Sequence, residues 1–175
     1  MMPMPHTTSP ALSQTRAGIQ PVILIVDDEP DIRALMGRIL RERGYSAVEA
    51  CDGEEALTHF ARLPISLVIC NLRMPRLSGT VLFDLIQRVC PPLAERFLFC
   101  TGDIASKESL QFLSRTGRPY LFKPFEVNQF IELVEQTVQA PVFVDARLRM
   151  ELLRLADGVG MPCRDNPRPI VVQRR

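Results

Sequence analysis

The chain has 175 residues, 46% of them hydrophobic and 23% charged, with a formal net charge of +1. That length suits about one domain with tails, and that balance lets a core form. A net charge so close to zero gives no whole-protein argument for nucleic acid, and no apolar run approaches the roughly 18 residues that span a bilayer.

Residues 1–20 (MMPMPHTTSPALSQTRAGIQ) carry no apolar stretch of the signal-peptide kind and are expected to form a disordered arm. VILIV (22–26) is a continuous apolar, β-branched run, as in a strand buried on both faces. A helix follows, with Ile32, Leu35, Met36, Ile39 and Leu40 on one stripe. Pro30 suits its first turn, Asp31 complements its positive end, and Gly44 ends it.

The alternation continues along the chain. Strands are predicted at 46–50 (SAVEA), 66–70 (SLVIC), 96–100 (RFLFC) and 119–122 (PYLF). Helices are predicted at 53–62, 79–89, 104–115 and 126–139. Five strands alternating with five helices over 21–140 argue for an α/β fold with a parallel sheet covered on both faces.

The remaining residues, 141–175, read as a C-terminal extension. Pro141 breaks the preceding helix, and Leu148, Leu152 and Leu155 set out a further helix over 144–158. A Pro- and Arg-rich tail follows, so a mildly acidic body ends in a basic stretch. The extension is too short for an ordinary DNA-binding output domain, so nucleic acid is not expected as a partner. It either packs on its own domain or serves as an interaction element; the second is favoured, because residues 21–140 already complete five strand–helix units.

Two histidines, His6 and His59, and five cysteines, Cys51, Cys70, Cys90, Cys100 and Cys163, show no metal-ligand spacing and no C-x-x-C pair. The cysteines read as buried reduced thiols in a cytoplasmic protein.

Functional groups in such sheets gather beyond the carboxyl ends of the strands. Asp27 and Asp28 follow the first strand, Asn71 the third, Thr101 the fourth and Lys123 the fifth. Each has an ordinary explanation alone. The aspartates can cap a helix, Thr101 can start the TGD turn, and Lys123 can be a surface charge. Together, at corresponding strand ends, they make a set.

That set, with VDDEP (26–30), DGEEAL (52–57), LVICNLRMPRLSG (67–79), TGD (101–103) and YLFKPF (120–125), resembles the receiver domain of bacterial two-component response regulators. The resemblance covers about residues 21–140. It implies a doubly wound, flavodoxin-like sheet of order 2-1-3-4-5. It also implies Mg2+ on Asp27 and Asp28, the acceptor side chain and the backbone carbonyl of Arg73. In that family the acceptor carboxylate attacks a phosphohistidine phosphoryl group. Thr101 and Lys123 then hold the phosphoryl oxygens, and Tyr120 matches the aromatic switch. A sensor histidine kinase or a phosphotransfer protein is the implied partner. A homodimer is expected through the face made by helix 104–115, strand 119–122 and helix 126–139, or through the C-terminal helix.

Asn71 is the departure, because the acceptor position calls for aspartate. An amide oxygen can accept a hydrogen bond or ligate a metal, but its lone pair is delocalised and makes no useful nucleophile. With two carboxylates instead of three, Mg2+ is expected to bind weakly. The chain therefore reads as a pseudo-receiver, a phosphorylation-independent interaction module and not an enzyme. An ordinary phosphoaccepting receiver carrying an engineered Asp-to-Asn block, either single-domain or from a hybrid kinase, gives the same residue. A Mg2+-dependent phosphatase of similar architecture needs Asp-x-Asp after the first strand, whereas VDDEP puts its aspartates side by side.

Overall fold

The computed structural model describes residues 20–103 and 105–158. The expected arm, apart from its last residue, and the basic tail beyond Gly158 lie outside the described residues, as does Cys163.

Five strands form one parallel sheet: Val22–Val26 (β1), Ser46–Ala50 (β2), Ile65–Cys70 (β3), Phe97–Thr101 (β4) and Tyr120–Phe122 (β5). Their order is β2-β1-β3-β4-β5. Between them run Pro30–Glu42 (α1), Gly53–Arg62 (α2), Gly79–Val89 (α3), Pro91–Ala94 (α4) and Lys107–Thr116 (α5), and after them Val127–Thr137 (α6) and Ala146–Asp157 (α7). The parallel sheet is the one that the alternation predicts, and its order is the doubly wound one that the resemblance implies.

Strand periodicity divides the core in two. Ile23, Ile25, Leu67, Ile69, Leu98 and Leu121 face one side, where Met36, Ile39 and Leu40 of α1 meet Phe130, Ile131 and Val134 of α6. Leu24, Val26, Val68, Phe97 and Phe99 face the other, against α2, α3, α5 and α7. There Phe83 meets Phe97, Phe99 and Phe112 edge-on, with ring centroids 5.3, 5.5 and 5.7 Å apart. Burying each such side chain stabilises the fold by about 1.5–3 kcal/mol.

Most helix starts follow local chemistry. The Asp52 carboxylate accepts from the amides of Glu54 and Glu55 to start α2, Ser78 caps α3, and Ser106 caps α5. Gly117 ends α5 at φ 61, a left-handed conformation that glycine adopts without strain.

Three differences from the sequence reading bear on the site and the extension. The short helix α4, opened by Pro91 and Pro92, was not expected. It draws the Arg96 amide back to the Leu93 carbonyl at 3.0 Å, so β4 starts at Phe97 and Thr101 becomes its last residue. Helix α5 starts at Lys107 instead of 104, because the Ser106 hydroxyl takes the Ser109 amide. The third difference concerns the extension. Asp145 caps α7 by accepting from the Leu148 amide at 2.8 Å, and Leu152 is fully buried. Helix α7 lies against α2, and the Val142 amide bonds the Ile65 carbonyl at 2.9 Å. The favoured reading of this segment as a free interaction element is thus corrected. Five strand–helix units leave apolar surface on α2, and the extension covers it.

Candidate functional site

The carboxyl edge of the sheet collects Asp27, Asp28, Asn71, Thr101 and Lys123. Parallel register does this, since the amide of Asp27 bonds Ala50, that of Asn71 bonds Val26, and that of Lys123 bonds Thr101. Asp27, Asn71 and Thr101 are buried, whereas Asp28 is exposed.

Asp27 is the electrostatic centre. Its Oδ2 lies 2.6 Å from Lys123 Nζ, and its Oδ1 accepts from the Glu29 amide at 3.0 Å. Burial pushes the Asp27 carboxyl above its usual range, more strongly than the Lys123 hydrogen bond lowers it. Burial by itself would lower the Lys123 ammonium, yet its bonds to Asp27 and to Glu29 at 2.8 Å outweigh that and raise it. Burial thus penalises both charges; the bonds to two carboxylates overcome that penalty for Lys123, whereas the lysine does not overcome it for Asp27. Glu29, the residue before α1, makes no side-chain cap, and Asp27 serves the lysine and the turn, not the helix end.

The Asn71 carboxamide faces the other way. Its Nδ2 donates to Asp28 Oδ1 at 3.0 Å and to the Arg73 carbonyl at 3.0 Å. Both partners can only accept, which settles which end of the amide points at them. Gly79, the first residue of α3, makes this corner possible. A Cβ there would lie 1.9 Å from the Asn71 carbonyl oxygen.

Thr101 accepts from the Asp103 amide at 3.1 Å through its hydroxyl oxygen. Tyr120 stands apart from this group, 46% exposed and edge-on to Phe122. Behind the site Cys70 and Cys100 are kept as neutral thiols, first by burial; Cys100 is pushed up to about 12 and Cys70 higher.

Three participants were missed in the sequence. Glu29 is the second carboxylate on Lys123, and Arg33 is buried and donates to the Asp27 carbonyl at 2.5 Å. Arg73 was read for its carbonyl alone, although its guanidinium also pairs with Asp103. For Arg33 the available signal was a charged residue one turn into a helix that opens at the site.

The sequence profile described as the response regulator receiver domain matches residues 23–135. The chain belongs to this family. Nitrogen assimilation regulatory protein NtrX of Azorhizobium caulinodans is 33% identical over 135 residues, which are 76% of this chain and 28% of that regulator. The chain thus spans under a third of that relative's length. A response regulator receiver protein from Pseudomonas putida superposes with a TM-score of 0.63 at 29% identity, covering 69% of this chain and 99% of that one. The Thermotoga maritima response regulator TrrA, solved in complex with Mg2+ and BeF, gives 0.60 at 31% identity, covering 68% of this chain and 100% of its own.

Receiver domains generally bind Mg2+, and Asp27, Asp28 and the Arg73 carbonyl are the hard oxygens that would hold such an ion here. In this receiver the Asn71 amide already occupies Asp28 and the Arg73 carbonyl, and Lys123 occupies Asp27. The donor set suits the ion only after the amide rotates and gives up two hydrogen bonds. Among the described residues no group of three or more His, Cys, Asp or Glu side chains forms a metal cluster, and no helix is long and apolar enough to cross a membrane.

Proposed function

We propose that this receiver domain works in two-component signalling by binding a partner, not by accepting a phosphoryl group. The reading is supported by Asn71, which follows β3 where the resemblance puts the acceptor; its amide nitrogen is turned toward Asp28 and the Arg73 carbonyl. A carboxylate oxygen there would be an anionic nucleophile for phosphoryl transfer, whereas the amide offers a neutral, delocalised oxygen and two donors. The chain acts as a cytoplasmic interaction module and not as an enzyme. Its partner is a sensor histidine kinase or a phosphotransfer protein. Mg2+ binds weakly, because the ion must displace the amide, and when bound it supplies charge neutralisation between Asp27 and Asp28.

The surface for self-association is the face of α5, β5 and α6, where Leu110, Tyr120 and Val127 are exposed. Helix α7 is the poorer candidate, since Leu152 and Ala156 are buried within the domain. One observation favours a second reading. Asp27, Thr101 and Lys123 all stand at the same carboxyl edge of the sheet as Asn71, which fits an ordinary receiver blocked at one position.

The test is intact-mass analysis after incubation with Mg2+ and acetyl phosphate, with partner binding measured alongside. The unsubstituted chain should carry no phosphoryl adduct, and its affinity for the kinase or phosphotransfer protein should not depend on the phosphodonor. An adduct on the unsubstituted chain overturns the proposal.

A further inference from the structure

Arg73 contacts three parts of the molecule at once. Its carbonyl oxygen accepts from Asn71 Nδ2 at 3.0 Å. Its guanidinium puts Nε 2.6 Å from Asp103 Oδ2, and Nη2 donates to the Ser106 hydroxyl at 2.8 Å. Asp103 also accepts from Ser109 at 2.5 Å through the same Oδ2, and its amide bonds the Thr101 hydroxyl. Ser106 is the cap of α5, and Ser109 is buried in its first turn.

We propose that Arg73 is a positioning residue, a clasp that ties the acceptor position on β3 to Thr101 and to the start of α5. The planar guanidinium satisfies Asp103 and Ser106 together, which a lysine ammonium on a flexible stem does less well. The other end of the clasp depends on Asn71. An uncharged amide holds the Arg73 carbonyl and Asp28 by donating to both. A carboxylate at position 71 can donate to neither and would face two acceptors, so that end would need a cation. In this chain the clasp is therefore set with neither ion nor phosphoryl group. The inference rests on the proposed function in taking Asn71 as a non-accepting residue, and it adds the means by which the output face is held in one state.

The experiment is residue-resolved amide hydrogen exchange on the full chain, reading Asp103, Ser109 and Leu110 against Phe99 in β4. Arg73→Ala should speed exchange at the first three by about three- to fivefold, the scale of a partly exposed ion pair, and leave Phe99 unchanged. Arg73→Lys should recover part of the protection. Arg73→Asp should lose it, and pairing that change with Asp103→Arg should restore it. Mg2+ should leave these rates unaltered in the unsubstituted chain, but should slow them in Asn71→Asp. Unchanged exchange in Arg73→Ala, or an equal rise at Phe99, would overturn the clasp. A phosphoryl adduct on the unsubstituted chain would sink the proposed function instead, without moving the Arg73→Ala comparison.

Discussion

The side-chain nitrogen of Asn71 lies 3.0 Å from Asp28 Oδ1, a neutral donor set against an exposed carboxylate at the carboxyl edge of the sheet. The same nitrogen reaches the Arg73 carbonyl, so one neutral group joins the loop after β1 to the loop after β3. Charge decides the consequence. The amide joins acceptors that a carboxylate would push apart.

Asn71→Asp should acquire phosphorylation from acetyl phosphate in the presence of Mg2+, because Asp27, Thr101 and Lys123 already stand at the carboxyl edge. Intact mass reads the adduct, and a substituted chain that never gains one would show that the rest of the site is not competent.

Thermal melts should separate the two forms by their response to the ion. The unsubstituted chain should shift little at millimolar Mg2+. Asn71→Asp should start lower, from carboxylate repulsion, and gain up to about 2.7 kcal/mol at a hundredfold excess over Kd. Equal shifts in both forms would mean that the amide does not compete with the ion.

Helix α7 is part of the fold, so Leu152→Ala should cost about 2–5 kcal/mol in urea unfolding, as for a fully buried leucine. The 1–140 fragment should melt well below the full chain. Sedimentation of both gives the oligomeric state, and a fragment that melts with the full chain would return the extension to an interaction role.

Gly79→Ala should destabilise the domain by about 3 kcal/mol, since its Cβ would meet the Asn71 carbonyl, a backbone atom between β3 and α3 with little room to yield. Chemical denaturation measures this directly. A neutral outcome would mean that the corner at residues 71–79 relaxes easily.

His59 gives the pH dependence. Burial holds its imidazole below the ordinary 6.5, more strongly than Glu55 raises it. The unfolded chain therefore takes up the proton first as the pH falls, and stability is lost from about 6.5 down through the depressed folded value. His59→Gln should flatten that part of the stability profile, and an unchanged slope would place the acid sensitivity elsewhere.

Local patterns in the chain were enough to determine the class of fold and the set Asp27, Asp28, Asn71, Thr101 and Lys123, while the strand order came from the resemblance to receivers. The reason is that buried strands, their capping residues and the polar group after each strand are written in consecutive residues. Tertiary structure decided what consecutive residues cannot carry. Only across the sheet do Lys123 and Asp27 meet, and only there does Glu29 join them. The direction of the Asn71 amide follows from two acceptors brought beside it by β1 and the turn after β3. The place of α7 was settled by apolar surface on α2, about ninety residues earlier in the chain, because burial depends on which surfaces meet and not on how complete a repeat looks.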